Sequence, residues 1–497
     1  MPLTVQQHWL QAASDGDVDR LRWIYSKYPE LLNVCASHQS HLKASTALHL
    51  CAWRNHRDAA SLLLSLGANV DATDEAGMTP LQIAVLRASL RKMRPMPLRR
   101  SVCGELNSPP AVRLARLKRS LTRERMMMHP SSNDPETMDT STLEVLLKYG
   151  AQVNGHCEIG KSALLLAVDD GLLPHTEILL AHGADVYVKD AHGRMALDLA
   201  AERGHRDVVE LLLSRYPELL GVCGERALRQ SVCHELVDIL ELLYDPVMRV
   251  LPDDHNRREL SGMLLHTAVE YDAASCATFL LDHGVPVDWT DAHGETAVHV
   301  ACRRARPQML EMLFKRGANG EIIAHDSGRA PCHVAVAAHG ANEIVVLASV
   351  GTSINLFDSH NDTPLTFAAK NNYPTDLMEC LIDHGAHFLF RDQSSRDSIA
   401  PVLTAWLIRL SSPQLSALVD RLLSEGCVMA EPVRTLLASL TWTNYTPEAL
   451  ELLFLALFSA PPALSHKACD IFSLWLHQSC SPPPPALVKL LHDALRR

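Results

Sequence analysis

The chain has 497 residues, 47% of them hydrophobic and 21% charged, which suits either about three ordinary domains or one long repeat array with a large buried core. A formal charge of −11 at pH 7 argues against a nucleic-acid binder, because phosphate contacts need a basic face. No basic n-region precedes an apolar run in MPLTVQQHWLQAASDGD, and ALELLFLALFSA (449–460) holds Glu451 and is too short to span a bilayer, so neither a secretory signal nor a membrane partner is expected.

In chain order, LQAASDGDVDRLRWI (10–24) reads as a half-typical helical pair that caps the N-terminus. A seven-residue slot then opens one apolar helix after another. It reads TALHLCA (46–52), TPLQIAV (79–85), SALLLAV (162–168), MALDLAA (195–201), MLLHTAV (263–269), TAVHVAC (296–302), APCHVAV (330–336) and TPLTFAA (363–369). The spacings are 33, 83, 33, 68, 33, 34 and 33 residues. An array of period 33 with one insertion of 50 and one blurred unit accounts for all of them. Each slot is followed by a second apolar-periodic segment ending in Gly, as in TEILLAHGADVYVKD (176–190). One unit is degenerate, at 225–245, where ELVDILELLYD supplies the second helix. No unit can bury its apolar face alone, so neighbours must stack.

Ahead of the slots lie short turns. The tetrapeptide DAHG occurs as Asp190–Gly193 and again as Asp291–Gly294, with DEAG, HDSG and DSHN in the same register. Asp bonds its own turn backbone and Gly accepts the positive φ of the bend, so the copies read as turns and not as halves of a metal or acid–base site.

The insertion at 88–140 leaves between the two helices of the unit that starts at Thr79. From Arg87 to Arg125 it carries twelve Arg/Lys against Glu105 and Glu124. It reads as a solvated loop, with RLARLKRSLTRER (113–125) as a nuclear-localisation or anionic-partner patch in the alternative. After Asp392 the period fades, and residues 393–497 read as a packed helical module broken by Pro, Ser and Gly.

The period, the TPLH-like slot, the LLL-x-x-GA ending and the D-x-x-G turn resemble the ankyrin repeat, over residues 1–392 in nine to ten units. The resemblance implies an all-α solenoid of helix-turn-helix repeats with β-turn tips. It also implies that His49, His266, His299 and His333 bond turn backbone and Thr hydroxyl groups. His182, His283 and His384 precede the helix-ending Gly, where a cation complements the helix dipole. Ankyrin repeats bind protein partners through turn tips and the exposed side of the first helix. The positions here are His192, Arg194, Glu202, Arg203, His293, Glu295, Arg303, Arg304, Arg329, His360 and Asp362.

Residues 462–497 also resemble the SOCS box appended to some ankyrin-repeat proteins, with Ala463-Leu464, Cys469 and the Pro482–Pro485 run. Cys469 stands one residue farther from Leu464 than that family's pattern places it. This second resemblance implies elongin and cullin as partners and the substrate-recognition role of a ubiquitin ligase, with Leu464 and Cys469 touching elongin. The thirteen cysteines are scattered without a C-x-x-C, and no phosphate cradle, zinc-protease, esterase or calcium motif occurs. The expectation is therefore a non-enzymatic interaction scaffold with no cofactor and no metal, ahead of an undetected enzyme. It is placed in the cytoplasm, with nuclear access if the basic patch is a signal.

Overall fold

The computed structural model describes residues 3–35, 45–92, 140–157, 160–371 and 373–386. Among them are twenty α-helices and no strand. The chain divides into two units, Met1–Arg257 and Arg258–Arg497.

The first unit holds the helix pairs α1 (Leu3–Asp15) and α2 (Val18–Lys27), α3 (Ala47–Arg54) and α4 (Arg57–Ser65), α5 (Pro80–Lys92) and α6 (Ser141–Lys148). It continues with α7 (Ala163–Asp169) and α8 (Leu173–Ala181), α9 (Ala196–Arg203) and α10 (Arg206–Arg215), α11 (Leu219–Cys233) and α12 (Val237–Val250). First helices pack in series from α1 to α11, and among the second helices α2, α4 and α6 pack in series, as do α8, α10 and α12. This stacking shows in α7, where every residue from Ala163 to Val168 is at most 1% exposed because the helix is sandwiched between α5 and α9. On α1, the end of the row, only Trp9, Ala12 and Ala13 are buried among the described side chains of residues 5–15.

The second unit opens within α13 (Asp254–Glu270) and continues with α14 (Ala274–Asp282), α15 (Ala297–Arg303) and α16 (Pro307–Lys315). The pairs α17 (Pro331–Ala337) with α18 (Ala341–Ser349) and α19 (Pro364–Lys370) with α20 (Thr375–Asp383) follow. Here α15, α17 and α19 stack in series, as do α16, α18 and α20.

Slot chemistry sets the helix starts. Thr46, Ser162, Thr296 and Thr363 sit in extended backbone just before helices α3, α7, α15 and α19. The Ser162 and Thr363 hydroxyls accept the amides of Leu165 and Thr366, two of the donors that a helix leaves without partners. Gly183 and Gly284 end α8 and α14 at φ of 81° each, with open space where a Cβ would stand, so only the left-handed backbone selects glycine there. Gly171 meets both demands, since its φ is 64° and the His205 ring fills the space of a Cβ.

Helices α5 and α6 close into one pair across residues 93–139. The Gln152 amide donates to Asp71 Oδ1 at 2.8 Å, so the repeats on either side of the insertion stack as ordinary neighbours.

Two repeats depart from the pattern. The period places a slot start at Leu228, and MLLHTAV opens at Met263, yet α11 begins at Leu219 and α13 at Asp254, nine residues earlier in both cases. Helix replaces the turn at these two places.

Candidate functional site

Four of the turns are fingers each held by one aspartate, while Cys157 and Ala324 take that position in two others. Asp190 Oδ1 accepts the amides of His192 and Arg194, both at 2.9 Å, and Asp291 Oδ1 accepts those of His293 and Glu295 at the same distance. Asp74 and Asp358 repeat the arrangement. The bend residues Gly193, Gly294 and Asn361 have φ of 74°, 76° and 59°. Both DAHG segments are thus turns in which one carboxylate oxygen accepts the turn's own amides, and Asp190 Oδ2 takes the Arg194 guanidinium as well. Among the described residues no group of His, Cys, Asp and Glu could hold a metal ion.

Histidines at the slot lock one finger to the next. His49 Nε2 donates to the Met78 carbonyl at 3.0 Å, and its Nδ1 accepts the Thr46 amide at 3.1 Å and hydroxyl at 2.9 Å. His299 repeats this with Thr296 and the Arg329 carbonyl. A carbonyl can only accept and a backbone amide can only donate, so the proton sits on Nε2, Nδ1 is the acceptor and these rings are neutral. Burial lowers the pKa of both, and protonating Nδ1 would also set two N–H groups against each other. His333 keeps the carbonyl of Asp362 at 2.9 Å, but Ala330 stands where Thr would be and its Nδ1 has no partner. His266, the fourth predicted member, lies edge-on to Trp289 with ring centroids 4.9 Å apart. His182, His283 and His384 donate from Nδ1 to the carbonyls of Ile178, Phe279 and Cys380, capping the last helical turn.

A charge pair ties four of the fingers to their own helices. Lys161 meets Asp169 at 2.7 Å and Arg194 meets Glu202 at 2.9 Å, both with the cation on the finger. In the second unit the signs are reversed: Glu295 meets Arg303, and Asp362 meets Lys370 at 2.5 Å. Burial alone would raise the Asp190 carboxyl, but the amide and guanidinium of Arg194 hold it below the usual carboxylate range. A second set of pairs bridges neighbouring repeats. Arg203 meets Asp169 at 2.9 Å in the first unit, and Arg304–Glu270, Arg306–Asp272 and Arg316–Asp282 do so in the second.

A family model described as "Ankyrin repeats (3 copies)" matches residues 9–93, 136–221 and 228–324, a little over half of the chain. The chain belongs to the ankyrin-repeat family. It is similar to the B-cell lymphoma 3 protein homolog of Mus musculus, 29% identical over 139 residues, which are 27% of this chain and 30% of that protein. It is similar to the nuclear factor NF-kappa-B p105 subunit of Gallus gallus, 24% identical over 170 residues, 33% of this chain and 17% of that protein. The neurogenic locus notch homolog protein 4 of Homo sapiens is 39% identical over 106 residues, 21% of this chain and 5% of that protein. The chain thus spans less than a third of the length of each of these relatives.

Within this ankyrin array the predicted surface residues separate into two groups. His192, His293 and His360 are exposed at finger tips, and Arg203, Arg303 and Arg304 are exposed at first-helix ends. His293 Nδ1 also meets Asp326 Oδ2 on the next tip at 2.6 Å, which raises its pKa. Arg194 and Asp362, expected at the surface, are buried. The residue after the turn Gly or Asn reaches down to its helix end, and Arg194 is held from both sides by Asp190 and Glu202. Glu202 and Glu295 are half-buried in the same pairs, and Arg329 is half-buried with its guanidinium 4.5 Å from the Phe367 ring centroid. Leu464 and Cys469 lie outside the described residues, as do the basic stretch 113–125 and the helical segments past 392. The sequence reading missed Tyr271, exposed at the position that Arg304 holds one repeat later. Their shared register, 33 residues apart, was the available signal.

Proposed function

We propose that this ankyrin array is a non-catalytic adaptor that holds a protein partner along its finger tips and first-helix ends. One observation carries the reading. At equivalent positions of successive repeats, the residues that hold the stack are buried and alike, while the helix-end position is exposed and varied, as Arg203, Tyr271, Arg304 and Asn371 in four of the repeats, with His192, His293 and His360 exposed on tips. A surface that varies over a constant frame can distinguish partners, and a few large side chains such as Arg and Tyr dominate binding energy at protein interfaces. Family membership supports protein binding as the class of activity. An intracellular site of action agrees with buried free thiols at Cys51, Cys276, Cys302 and Cys332. Among the described residues no helix is long and apolar enough to cross a membrane.

The test is affinity capture with the full chain, quantified by mass spectrometry against a triple variant, His192→Ala, Tyr271→Ala and His360→Ala, whose melting midpoint verifies that the stack is kept. Partners retained equally by both proteins would refute the assignment of this surface. The finer reading, that residues 462–497 recruit elongin and a cullin, rests on sequence resemblance alone. Elongin co-purifying with the wild type and lost from a Leu464→Glu, Cys469→Glu variant would support it, and no elongin with the wild type would end it.

A further inference from the structure

Four residues that follow a turn bend share one task, and a fifth at the same position lacks it. Lys161, Arg194, Glu295 and Asp362 each pair with the residue eight positions on, at the end of the first helix: Asp169, Glu202, Arg303 and Lys370. Arg329 holds this position in its own repeat, but the helix end there offers Ala337, followed by Ala338. Two methyl groups thus stand where the preceding repeat carries the guanidinium groups of Arg303 and Arg304.

Arg329 is held in place without being neutralised. It is half-buried, its guanidinium lies over the Phe367 ring at 4.5 Å from the centroid, and its Nε is buried without a partner. Among the described residues it forms no ion pair. The carboxylates of its own finger and the adjoining ones are engaged elsewhere. Asp362 takes Lys370 at 2.5 and 2.7 Å, and Asp358, its side chain 1% exposed, accepts the amides of His360 and Asp362. Glu295 meets Arg303, and Asp326 meets His293 at 2.6 Å. Aromatic rings wall the place. Tyr373 lies edge-on to Phe367 with centroids 5.9 Å apart, and the exposed His339 lies edge-on to Tyr373 at 4.7 Å. The two preceding repeats have Val300 and Val334 at the Phe367 position. A half-buried guanidinium without a counter-ion is a cost to the stack, so its use lies outside the stack.

We propose that Arg329, Phe367 and Tyr373 anchor a carboxylate side chain, an aspartate or glutamate of the protein partner. This anchor belongs to the finger and helix-end row, and so rests on the reading of that row as the partner-binding surface. With Nε buried, the carboxylate meets the guanidinium end-on through Nη1 and Nη2, in two parallel hydrogen bonds, and its methylene groups lie against the rings. One unpaired cation matches the single charge of a carboxylate, whereas a phosphate carries nearly two.

The probe is N-acetylglutamate N-methylamide, whose one charge is the side-chain carboxylate, titrated into the full chain. The readout is the Arg329 Nε–Hε NMR resonance, identified by its absence from Arg329→Lys. The expected result is a saturable shift at about tenfold or more lower probe concentration than any shift of the exposed arginine resonances, and none with the glutamine analogue. Ala337→Glu supplies the partner that the other four repeats have; it should abolish the shift while the melting midpoint is kept or raised. An Arg329 resonance that moves no more than those of exposed arginines, or equally with the glutamine analogue, would overturn the proposal. So would a shift that persists in Ala337→Glu, or methyl phosphate binding about tenfold tighter than the carboxylate. Partner capture lost in the His192, Tyr271 and His360 variant but kept in Arg329→Gln would leave the row standing and remove this anchor.

Discussion

Ala330→Thr should stabilise the second unit. In the repeats of His49 and His299, a threonine amide and hydroxyl both reach Nδ1, at 3.1 and 2.9 Å. In the repeat of His333 the slot begins with Ala330, and Nδ1 is buried without a partner. A threonine N-cap is worth about 0.5–2 kcal/mol over alanine, and a buried unpaired acceptor costs about 1–3 kcal/mol. The two figures describe one new bond and do not add, so a gain of about 1 kcal/mol is expected. The side chain has room, since Thr296 and Thr363 are fully buried at the equivalent positions. The assay is calorimetric melting of the full chain, where 1 kcal/mol raises the midpoint of a 150–250-residue unit by about 2–4 °C. Ala330→Val supplies the same shape without a hydroxyl and should give no gain. An unchanged or lower midpoint for threonine, or an equal gain for valine, would refute the hydrogen-bond reasoning.

Three further outcomes follow from the same geometry. Burial puts the folded pKa of His49, His299 and His333 below the ordinary 6.5, so unfolding takes up protons in acid. Stability is therefore complete above about pH 6.5 and lost as pH falls through the folded values. His299→Gln should stay close to wild type at pH 8 and lose less in acid. Gln82 already fills this slot, accepting the Thr79 amide at 2.9 Å and donating to the Gly155 and Lys161 carbonyls; urea titrations across pH measure the effect. Ala305 holds φ 52° where earlier repeats place Gly171 and Gly204, so Ala305→Gly should stabilise by about 0.5–1 kcal/mol, read as a shift in urea midpoint. Leu313→Ala, at a fully buried site on α16, should cost about 2–5 kcal/mol in the same assay.

The period was legible because the frame is built from local chemistry. A helix cap, an apolar helix, a glycine end and an aspartate turn each need particular residues at fixed offsets, and stacking repeats those offsets. The slot histidines were legible for the same reason. What the sequence reading missed depends on reach between elements. Arg194 and Asp362 follow a turn and look like tips, yet their side chains fold back on helix ends eight residues away, at Glu202 and Lys370. Opposite charges at that spacing in four repeats were visible in the sequence, but only the helix-turn geometry makes them neighbours. The early starts of α11 and α13 were hidden by the fading of the slot itself. For α13 the Asp253 carboxylate, accepting the Asn256 amide at 3.2 Å, marks the helix start that the missing D-x-x-G turn left unannounced.

The central claim is that the exposed, varying row binds while the buried, repeated row holds the stack. Hydrogen–deuterium exchange of the full chain, alone and with its captured partner, tests this most directly. The account predicts added protection at finger and helix-end amides, in 190–204 or in 291–305 and 358–371. Protection confined to the second helices, such as α10 and α16, with those segments unchanged, would contradict it.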